Sequence, residues 1–279
     1  MYASNRVSVD GVSLAVKRWG RGAPVVCLSA IGHDAFDFEP LAQRVGDQVE
    51  LVCIEWPQHG DSGRDRHPAS AARYATLIGG ALTSLGIDRP IILGNSIGGA
   101  VAILHAARNP VRGLVLCDSG GLVEVTPTIA RFCRTFARFF AAGERGAWWY
   151  PYAFAAYYRM VLPEPVAARQ RRRIVARATQ IAAVLREAWT SFAAPEADIR
   201  AVAAGLEVPV WVAWAKRDRV IPLRACRAAI DALRNATLDT FDAGHSAFLE
   251  QPDAFARGFA GFIARLPGAA PATPSRASA

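Results

Sequence analysis

The fold of this chain is decided by the stretch Ile91-Ile92-Leu93-Gly94-Asn95-Ser96-Ile97-Gly98-Gly99-Ala100. The apolar run Ile91 to Leu93 is typical of a strand buried on both faces, and a helical pattern begins near Gly99. Between them a serine lies in a sharp turn, where Gly94 and Gly98 let strand and helix approach each other closely. The stretch therefore predicts a serine hydroxyl exposed at the end of a strand, a suitable position for a nucleophile.

Short apolar runs and helical patterns alternate on both sides of this turn. The runs are Pro24 to Leu28, Leu51 to Ile54, Leu114 to Cys117, Val208 to Ala213 and a weaker one around Leu238, and the helical patterns are Ala71 to Leu85, Gly98 to Arg108, Leu223 to Leu233 and Pro252 to Leu266. Strands that alternate with helices predict an α/β fold with a mostly parallel, doubly wound sheet and helices on both of its faces.

The N-terminus is predicted to form an antiparallel hairpin. Val7 to Val9 and Val12 to Val16 flank Asp10-Gly11, a pair that supplies the positive φ angles of a tight turn. Apolar residues alternate along the second strand, so we expect Lys17 on the opposite, wetter face.

A different pattern occupies residues 122–197, where no strand signal appears and helix-like stretches dominate. Ile129, Phe132, Phe136 and Phe140 form one apolar stripe, and Ile174, Ala178, Ile181, Leu185 and Trp189 form another. We interpret this segment as a helical cap, or lid, inserted into a core of residues 1–121 and 198–266. Residues 267–279 lack periodicity and are predicted to be a disordered tail.

The composition is that of a globular protein, with 279 residues of which 52% are hydrophobic. A chain of this length removes roughly three quarters of its unfolded surface from water, so it needs no disulfide or structural metal to fold. The five cysteines are widely spaced and include no Cys-x-x-Cys pair, which indicates neither a disulfide framework nor a zinc site. Because no long apolar run and no signal-like N-terminus occur, we expect a cytoplasmic protein.

Positive charge is concentrated in the predicted lid. The chain carries a net charge of +8, and residues 122–197 hold eleven arginines against five acidic residues. The arginines include Arg131, Arg134, Arg138, Arg169, Arg171, Arg172, Arg173 and Arg177. A solvated basic helix face is the favoured interpretation. The alternatives are an anionic small-molecule substrate, an acidic carrier protein or an anionic membrane surface, whereas no motif for nucleic-acid binding accompanies the charge.

A serine nucleophile needs a base and a carboxylate that orients the base. His245, in Asp242-Ala243-Gly244-His245-Ser246, is the candidate base because it follows the last apolar run and precedes an amphipathic helix. Asp218 is the candidate orienting carboxylate, because it follows the run Val208 to Ala213. Asp118, directly after Leu114 to Cys117, is its rival, while Asp242 lies too close to His245 in sequence. The remaining histidines, His59, His67 and His105, are interpreted as structural or solvated.

These residues resemble the α/β-hydrolase family, and the resemblance covers nearly the whole chain except the tail. The segment Glu55-Trp56-Pro57-Gln58-His59-Gly60-Asp61-Ser62-Gly63 is similar to the family's Asp-x-x-Gly-x-Gly-x-Ser loop, with departures at Glu55 and Gln58. Where the family commonly has His-Gly after the first parallel strand, this chain has Ser29-Ala30-Ile31-Gly32-His33. By position, the resemblance implies an oxyanion hole made by the backbone amides of Ile31 and Ile97.

The resemblance implies a serine hydrolase without cofactor or metal, in which Ser96 forms an acyl-enzyme that water releases. The lid of the family shapes the pocket, so Trp148 and Trp149 are expected to contact a medium-sized apolar or aromatic ester, lactone or thioester. His33, in the loop after the first parallel strand, is expected either to contact this substrate near the mouth of the pocket or to have a structural role in its loop.

Two further patterns leave alternatives open. Ser29 to Gly32 is similar to enol-lactone hydrolases, whereas Asn95 and Ser119-Gly120-Gly121 are similar to hydrolases of carbon-carbon bonds in ring-cleavage products. A non-catalytic hydrolase-like binding protein is the remaining alternative. A serine at the turn argues against dehalogenase and epoxide hydrolase chemistry, which uses a carboxylate nucleophile.

Overall fold

The computed structural model describes residues 2–267, so all of the predicted tail beyond residue 267 lies outside the described residues. One sheet of eight strands organises the described chain. The strands are β1 (Ala3–Val9), β2 (Val12–Gly20), β3 (Ala23–Leu28), β4 (Val49–Ile54), β5 (Ile91–Asn95), β6 (Gly113–Cys117), β7 (Val210–Ala215) and β8 (Ala236–Phe241). They lie in the order β1-β2-β4-β3-β5-β6-β7-β8.

The pairing of the strands confirms the predicted fold class. β2 pairs antiparallel with both β1 and β4, and every other neighbouring pair is parallel. The hairpin turn between β1 and β2 has the expected positive φ angles, 50° at Asp10 and 76° at Gly11. Since β3 and β5 to β8 are parallel, the loops that follow these strands meet at one edge of the sheet.

Helices surround the sheet where the sequence indicates them. They are α1 (Glu39–Val45), α2 (Ala71–Leu85), α3 (Ile97–Ala106), α4 (Pro127–Glu144), α5 (Tyr150–Val161), α6 (Ala168–Ala176), α7 (Ala178–Ser191), α8 (Arg200–Ala204), α9 (Leu223–Asp231), α10 (Ala247–Glu250) and α11 (Pro252–Ala264). The four helical patterns of the core agree with α2, α3, α9 and α11 to within two residues at each end. In the described part of the chain, no helix is long and apolar enough to cross a bilayer.

Helices α4 to α7 occupy the segment between β6 and β7 in which the sequence predicts a lid. The rings of Phe136 in α4 and Trp189 in α7 stack at 4.5 Å, so the two apolar stripes face each other. The chain leaves the core and returns to it at neighbouring points, because the Ile199 amide donates a hydrogen bond of 3.1 Å to the Gly121 carbonyl. The division of the chain into core and lid stays a prediction.

Lys17 is buried, and the expectation that it lies on a wet face is wrong. Its ammonium contacts Glu55 Oε1 at 3.0 Å and Asp61 Oδ2 at 2.8 Å, and it lies over the ring of Phe36. Burial of a charge is tolerated when the charge is paired in this way. The alternating pattern fails here because the two carboxylates come from a distant loop that closes over the strand.

Candidate active site

Ser96 lies between β5 and α3 in a backbone conformation that side chains rarely adopt, with φ 55° and ψ −119°. A non-glycine residue persists in such a conformation only when its surroundings hold it there. The Ser96 amide donates to the Cys117 carbonyl at 3.1 Å, which ties the turn to β6. A Cβ on Gly94 would lie 2.3 Å from the Gly98 carbonyl oxygen, and a Cβ on Gly98 would lie 2.2 Å from that of Leu28. The close approach expected at both glycines is thus confirmed.

His245 follows β8 and is bonded to Asp218, which follows β7. Its Nδ1 lies 2.8 Å from Asp218 Oδ2, and both side chains are buried. The other oxygen of Asp218 accepts the backbone amides of Val220 at 2.7 Å and Ile221 at 3.0 Å, so the carboxylate has a fixed orientation. This bond places the imidazole proton on Nδ1 and leaves Nε2 able to accept another proton.

The charge of Asp218 also sets the acidity of His245. Burial disfavours the imidazolium, but the attraction and the hydrogen bond of Asp218 outweigh this effect and raise the pKa of His245 above its ordinary value.

Asp118, the rival carboxylate, is directed to the backbone of β7 instead. Its Oδ1 accepts the Ala215 amide at 2.7 Å, and its Oδ2 accepts the thiol of Cys117 at 3.3 Å. Burial, together with the nearby charge of Asp218, raises the pKa of Asp118 to about 7. The structure therefore brings Asp218, and not Asp118, to His245 Nδ1. Asp242 pairs with Arg217 at the surface at 2.8 Å.

Asn95 links the serine turn to the histidine loop. Its Nδ2 donates to the His245 carbonyl at 3.0 Å and to the Cys117 carbonyl at 3.0 Å, while its Oδ1 accepts the Ser246 hydroxyl at 2.9 Å. Because all of these groups are buried, water does not compete for the bonds. Two loops that are 150 residues apart in sequence are thus held in one arrangement.

The predicted oxyanion loop is held at both of its ends by the loop after β4. Trp56 Nε1 donates to the Ser29 carbonyl at 2.8 Å, and the Gly32 amide donates to His59 Nε2 at 2.8 Å. His59 Nδ1 in turn donates to the Pro57 carbonyl at 2.8 Å. Burial lowers the pKa of His59 to about 4, so the ring is neutral and keeps Nε2 as an acceptor. His59 is structural, as expected, but its contact with the oxyanion loop is not predictable from the sequence.

The amides of Ile31 and Ile97 are free to bind a ligand. Within residues 2–267, neither amide donates a hydrogen bond to another protein group. Both residues line the same cavity as Ser96 and His245. Backbone amides that converge beside a nucleophile are suited to stabilise a developing oxyanion.

This cavity has a volume of about 380 Å³ and is mainly apolar. Most of its wall is aliphatic or aromatic, and includes Leu104, Val123, Val125, Ile129, Phe132, Tyr157, Tyr158, Leu185, Trp189, Phe192, Ile199, Val220 and Ile221. No lysine or arginine of the described chain lines it, and Glu196, an exposed residue, is its one carboxylate. Such a wall suits an uncharged, apolar ligand.

The residues expected to contact substrate differ in their placement. His33 lines the cavity, although its ring is buried and bonded through Nδ1 to Asp37. Trp148 and Trp149 do not line it, because the turn between α4 and α5 places them outward, 82% and 39% exposed. The expectation for these two tryptophans is wrong. The aromatic side chains of the wall are on inward sides of the lid helices, which only the packing of the helices reveals.

Two arginines of α6 connect the predicted lid to the segment that follows β3. Arg173 Nη2 contacts Asp34 Oδ2 at 2.8 Å, and its guanidinium lies 4.3 Å from the centre of the Phe36 ring. Arg169 pairs with Glu39 at 3.1 Å. None of these arginines reaches the cavity wall. The hypothesis that they receive an anionic substrate therefore has no support in the cavity.

A mostly parallel sheet of this strand order, with a serine on a strained turn and a histidine–carboxylate pair at its carboxyl edge, defines a class of hydrolases. The model of the family described as "Alpha/beta hydrolase family" matches residues 25–258, and the chain belongs to this family. The resemblance drawn from the sequence is thereby confirmed.

Individual relatives are more distant. The pimeloyl-[acyl-carrier protein] methyl ester esterase of Xanthomonas campestris is 28% identical over 268 residues, which cover 89% of this chain and 98% of the relative. A thermophilic esterase from Thermogutta terrifontis has a TM-score of 0.76 at 19% identity, with 94% of this chain and 98% of the other covered. The enol-lactonase from Burkholderia xenovorans has a TM-score of 0.75 at 21% identity, with 93% and 98% covered. The thermophilic esterase and the enol-lactonase therefore have the same fold as this chain.

Proposed function

We propose that this α/β-hydrolase is a serine hydrolase that cleaves an uncharged ester of a medium-sized apolar or aromatic acyl group. One observation carries the proposal: the strained Ser96 and His245, whose Nδ1 is bonded to Asp218, line the same cavity. A histidine held by a carboxylate through Nδ1 is able to remove the proton of a serine hydroxyl through Nε2.

In this mechanism Ser96 Oγ attacks the ester carbonyl while His245 Nε2 takes the hydroxyl proton. The negative charge moves to the carbonyl oxygen, where the amides of Ile31 and Ile97 stabilise it. The carbon–oxygen bond to the alcohol then breaks, and His245 returns the proton to the leaving alcohol. A water molecule then attacks the acyl-Ser96 ester while His245 takes its proton. The bond to Ser96 Oγ breaks, His245 returns the proton to Ser96, and the carboxylic acid leaves.

The cavity wall supports an uncharged substrate. A carboxylate taken from water into an apolar cavity without a cation loses its hydration and gains no partner. Ester chemistry is favoured over the cleavage of carbon-carbon bonds because the Xanthomonas relative is, by its name, an ester hydrolase. Lactones and thioesters share the same acyl-enzyme route and belong to the proposal.

The five buried, unpaired cysteines support a cytoplasmic location as part of the same proposal. Free thiols persist in a reducing compartment.

Labelling with a fluorophosphonate probe tests the nucleophile. We expect the full chain to be labelled and Ser96→Ala to lose the label while its circular dichroism spectrum is unchanged. Ser191→Ala is the matched control, because that hydroxyl also lines the cavity but is bonded to the Ala188 carbonyl at 2.8 Å. Undiminished labelling of Ser96→Ala would exclude the mechanism, and an unlabelled wild type would favour a binding protein.

A panel of neutral esters, lactones and ring-cleavage products then identifies the bond that is cleaved. Turnover of carbon-carbon substrates alone would overturn the ester proposal and leave the nucleophile assignment in place.

A further inference from the structure

A row of arginines runs along the exposed side of α4. Arg131, Arg134, Arg138 and Arg145 are spaced by three, four and seven residues, which places them on one side of a helix and its C-cap. All four are exposed, and within residues 2–267 none of them forms an ion pair. They differ in this from Arg169 and Arg173 of α6, which pair with Glu39 and Asp34. The neighbouring Glu144 pairs with Arg186 and leaves the row uncompensated.

Exposed aromatic side chains follow this row directly. Trp148 is 82% exposed and Tyr152 is 75% exposed, and both come shortly after Arg145. Seven large hydrophobic side chains are exposed in the described chain, and four of them lie between residues 132 and 152. Such a cluster of exposed apolar surface marks an interaction site. We use the term basic-aromatic face for Arg131, Arg134, Arg138, Arg145, Trp148 and Tyr152.

We propose that the basic-aromatic face docks the protein on the surface of an anionic lipid bilayer. Arginines near an anionic bilayer are attracted to the negatively charged headgroups of its lipids. Tryptophan and tyrosine side chains favour the headgroup layer, where their rings are in an apolar region and their polar atoms stay hydrated. The face carries both types of residue within one stretch of the chain, residues 131–152.

Charge and chemistry distinguish a bilayer from other occupants. A second copy of the chain would bring the same row of positive charge towards the first, so like charges oppose self-association through this face. A soluble acidic protein would also bind arginines and exposed aromatic side chains, so the binding measurements below distinguish it from a bilayer. A bilayer accounts for the arginines and for the aromatic side chains together.

The position of the basic-aromatic face indicates how docking on a bilayer would affect access of a substrate to the cavity. Phe132 is adjacent to Arg131 in α4, is 40% exposed, and lines the cavity. Phe132 therefore connects the cavity wall with the protein surface at one end of the basic-aromatic face. On a docked molecule, an apolar substrate dissolved in the lipid would reach the cavity without crossing bulk water. Binding to the bilayer itself does not depend on the proposed hydrolase chemistry.

Co-sedimentation with lipid vesicles tests the proposal. We expect the full chain to bind vesicles of phosphatidylcholine containing phosphatidylglycerol and to bind pure phosphatidylcholine vesicles at least tenfold more weakly. Raising the salt concentration should weaken the binding, because it screens charges at the surface. Equal binding to both kinds of vesicle, or no binding to either, would overturn the proposal.

Two variants locate the binding surface. Replacing Arg131, Arg134, Arg138 and Arg145 by Gln should weaken binding to anionic vesicles at least tenfold, and Trp148→Ser with Tyr152→Ser should weaken it severalfold. The matched control replaces four other exposed arginines, Arg66, Arg108, Arg257 and Arg265, which form no ion pair within the described chain, by Gln. This control removes the same charge and should retain most of the binding. An equal loss in the control would show nonspecific attraction and overturn the proposal.

Further readouts separate the remaining outcomes. Turnover of a water-soluble ester should be the same in all three variants, which shows that they are folded. Binding of polyglutamate without binding of vesicles would assign the face to an acidic protein. A sedimentation mass that doubles with concentration, and does so only when the arginines are intact, would assign it to a second copy. Either result would overturn the bilayer proposal.

Discussion

At the scale of single residues, the pKa of His245 sets the pH dependence of the proposed reaction. The base must be neutral, and its pKa is raised above the ordinary value of 6.5. The specificity constant, kcat/KM, should therefore decrease as the pH falls through a pKa that lies above 6.5. A pH profile with a soluble neutral ester measures this limb. A limb below 6.5 would contradict the assignment of His245 as the base.

The two buried aspartates are distinguished by substitution. Asp218→Asn should lower kcat on the order of ten thousandfold, since His245 then loses the partner that fixes its tautomer. Asp118→Asn should retain most of the activity, because Asp118 contacts the backbone of β7 and not the histidine. Steady-state kinetics of both folded variants decide the point. A larger loss from Asp118→Asn would reverse the assignment.

Asp118 should also be visible in the stability of the protein. Its pKa is about 7 in the fold, against 3.8 as the ordinary value, so the native state holds a proton there that the unfolded state releases. This contribution to stability is present below about pH 4 and is lost as the pH rises through 7. Asp118→Asn should therefore raise the free energy of unfolding relative to wild type at pH 9, with the difference shrinking towards pH 4. Urea denaturation at several pH values measures the trend.

His59 offers a test of the oxyanion loop. His59→Phe removes the acceptor of the Gly32 amide at similar volume, so the loop that carries the Ile31 amide loses one of its two fixed points. We expect kcat to fall by about tenfold to a hundredfold with little change in KM, since a displaced oxyanion donor weakens binding of the transition state. His59→Gln, whose amide oxygen can accept the same bond, should recover part of the loss. Equal increases in KM for both variants would contradict this role.

The sequence predicts some of these residues better than others, and the difference follows from distance along the chain. Ser96 and its glycines form a local signal, so the turn is predictable from ten consecutive residues. The contact between Gly32 and His59 joins residues 27 positions apart, and the burial of Lys17 depends on Glu55 and Asp61. Such contacts arise only when the sheet brings separate loops together.

At the scale of elements, Arg173 connects α6 to the core. Its guanidinium binds Asp34, whose side chain is only 9% exposed, and lies over Phe36. Arg173→Gln leaves Asp34 with only the longer contact to Arg177, at 3.7 Å, and should lower the free energy of unfolding by about 1–3 kcal/mol. Arg172→Gln is the matched control, because Arg172 is exposed and has no ion pair in the described chain. Chemical denaturation of both variants measures the difference, and an equal change in both would contradict the anchoring role.

The ends of the helices are easier to predict from the sequence than the residues that each helix packs against. The core helices agree with the periodicity of the sequence, since an apolar face of 3.6-residue period is a property of the helix itself. The side that each lid helix turns towards the cavity depends on its neighbours. The sequence therefore predicts Trp148 and Trp149 in the cavity wall. In the structure, Tyr157 and Trp189 line the cavity instead.

At the scale of the whole molecule, the net charge of +8 and the apolar cavity act at different places. No lysine or arginine of residues 2–267 lines the cavity, and among them only Lys17 is buried. A neutral ester should therefore have a kcat/KM at least tenfold higher than that of an ester of the same size with a carboxylate in its acyl part. Steady-state kinetics with the two substrates measure the ratio. A higher kcat/KM for the anionic ester, lost at high salt, would contradict the predicted preference for the neutral ester.

The hydrogen bond between Ile199 and Gly121 has a consequence for the evolution of this protein family. It closes the segment that carries α4 to α7 where that segment meets the core, while Ser96, Asp218 and His245 all lie outside it. A gene could exchange this segment for another of different length and leave both ends joined as they are. Related proteins could thus keep Ser96, Asp218 and His245 and differ in this segment. Each would then bind a different substrate or a different surface.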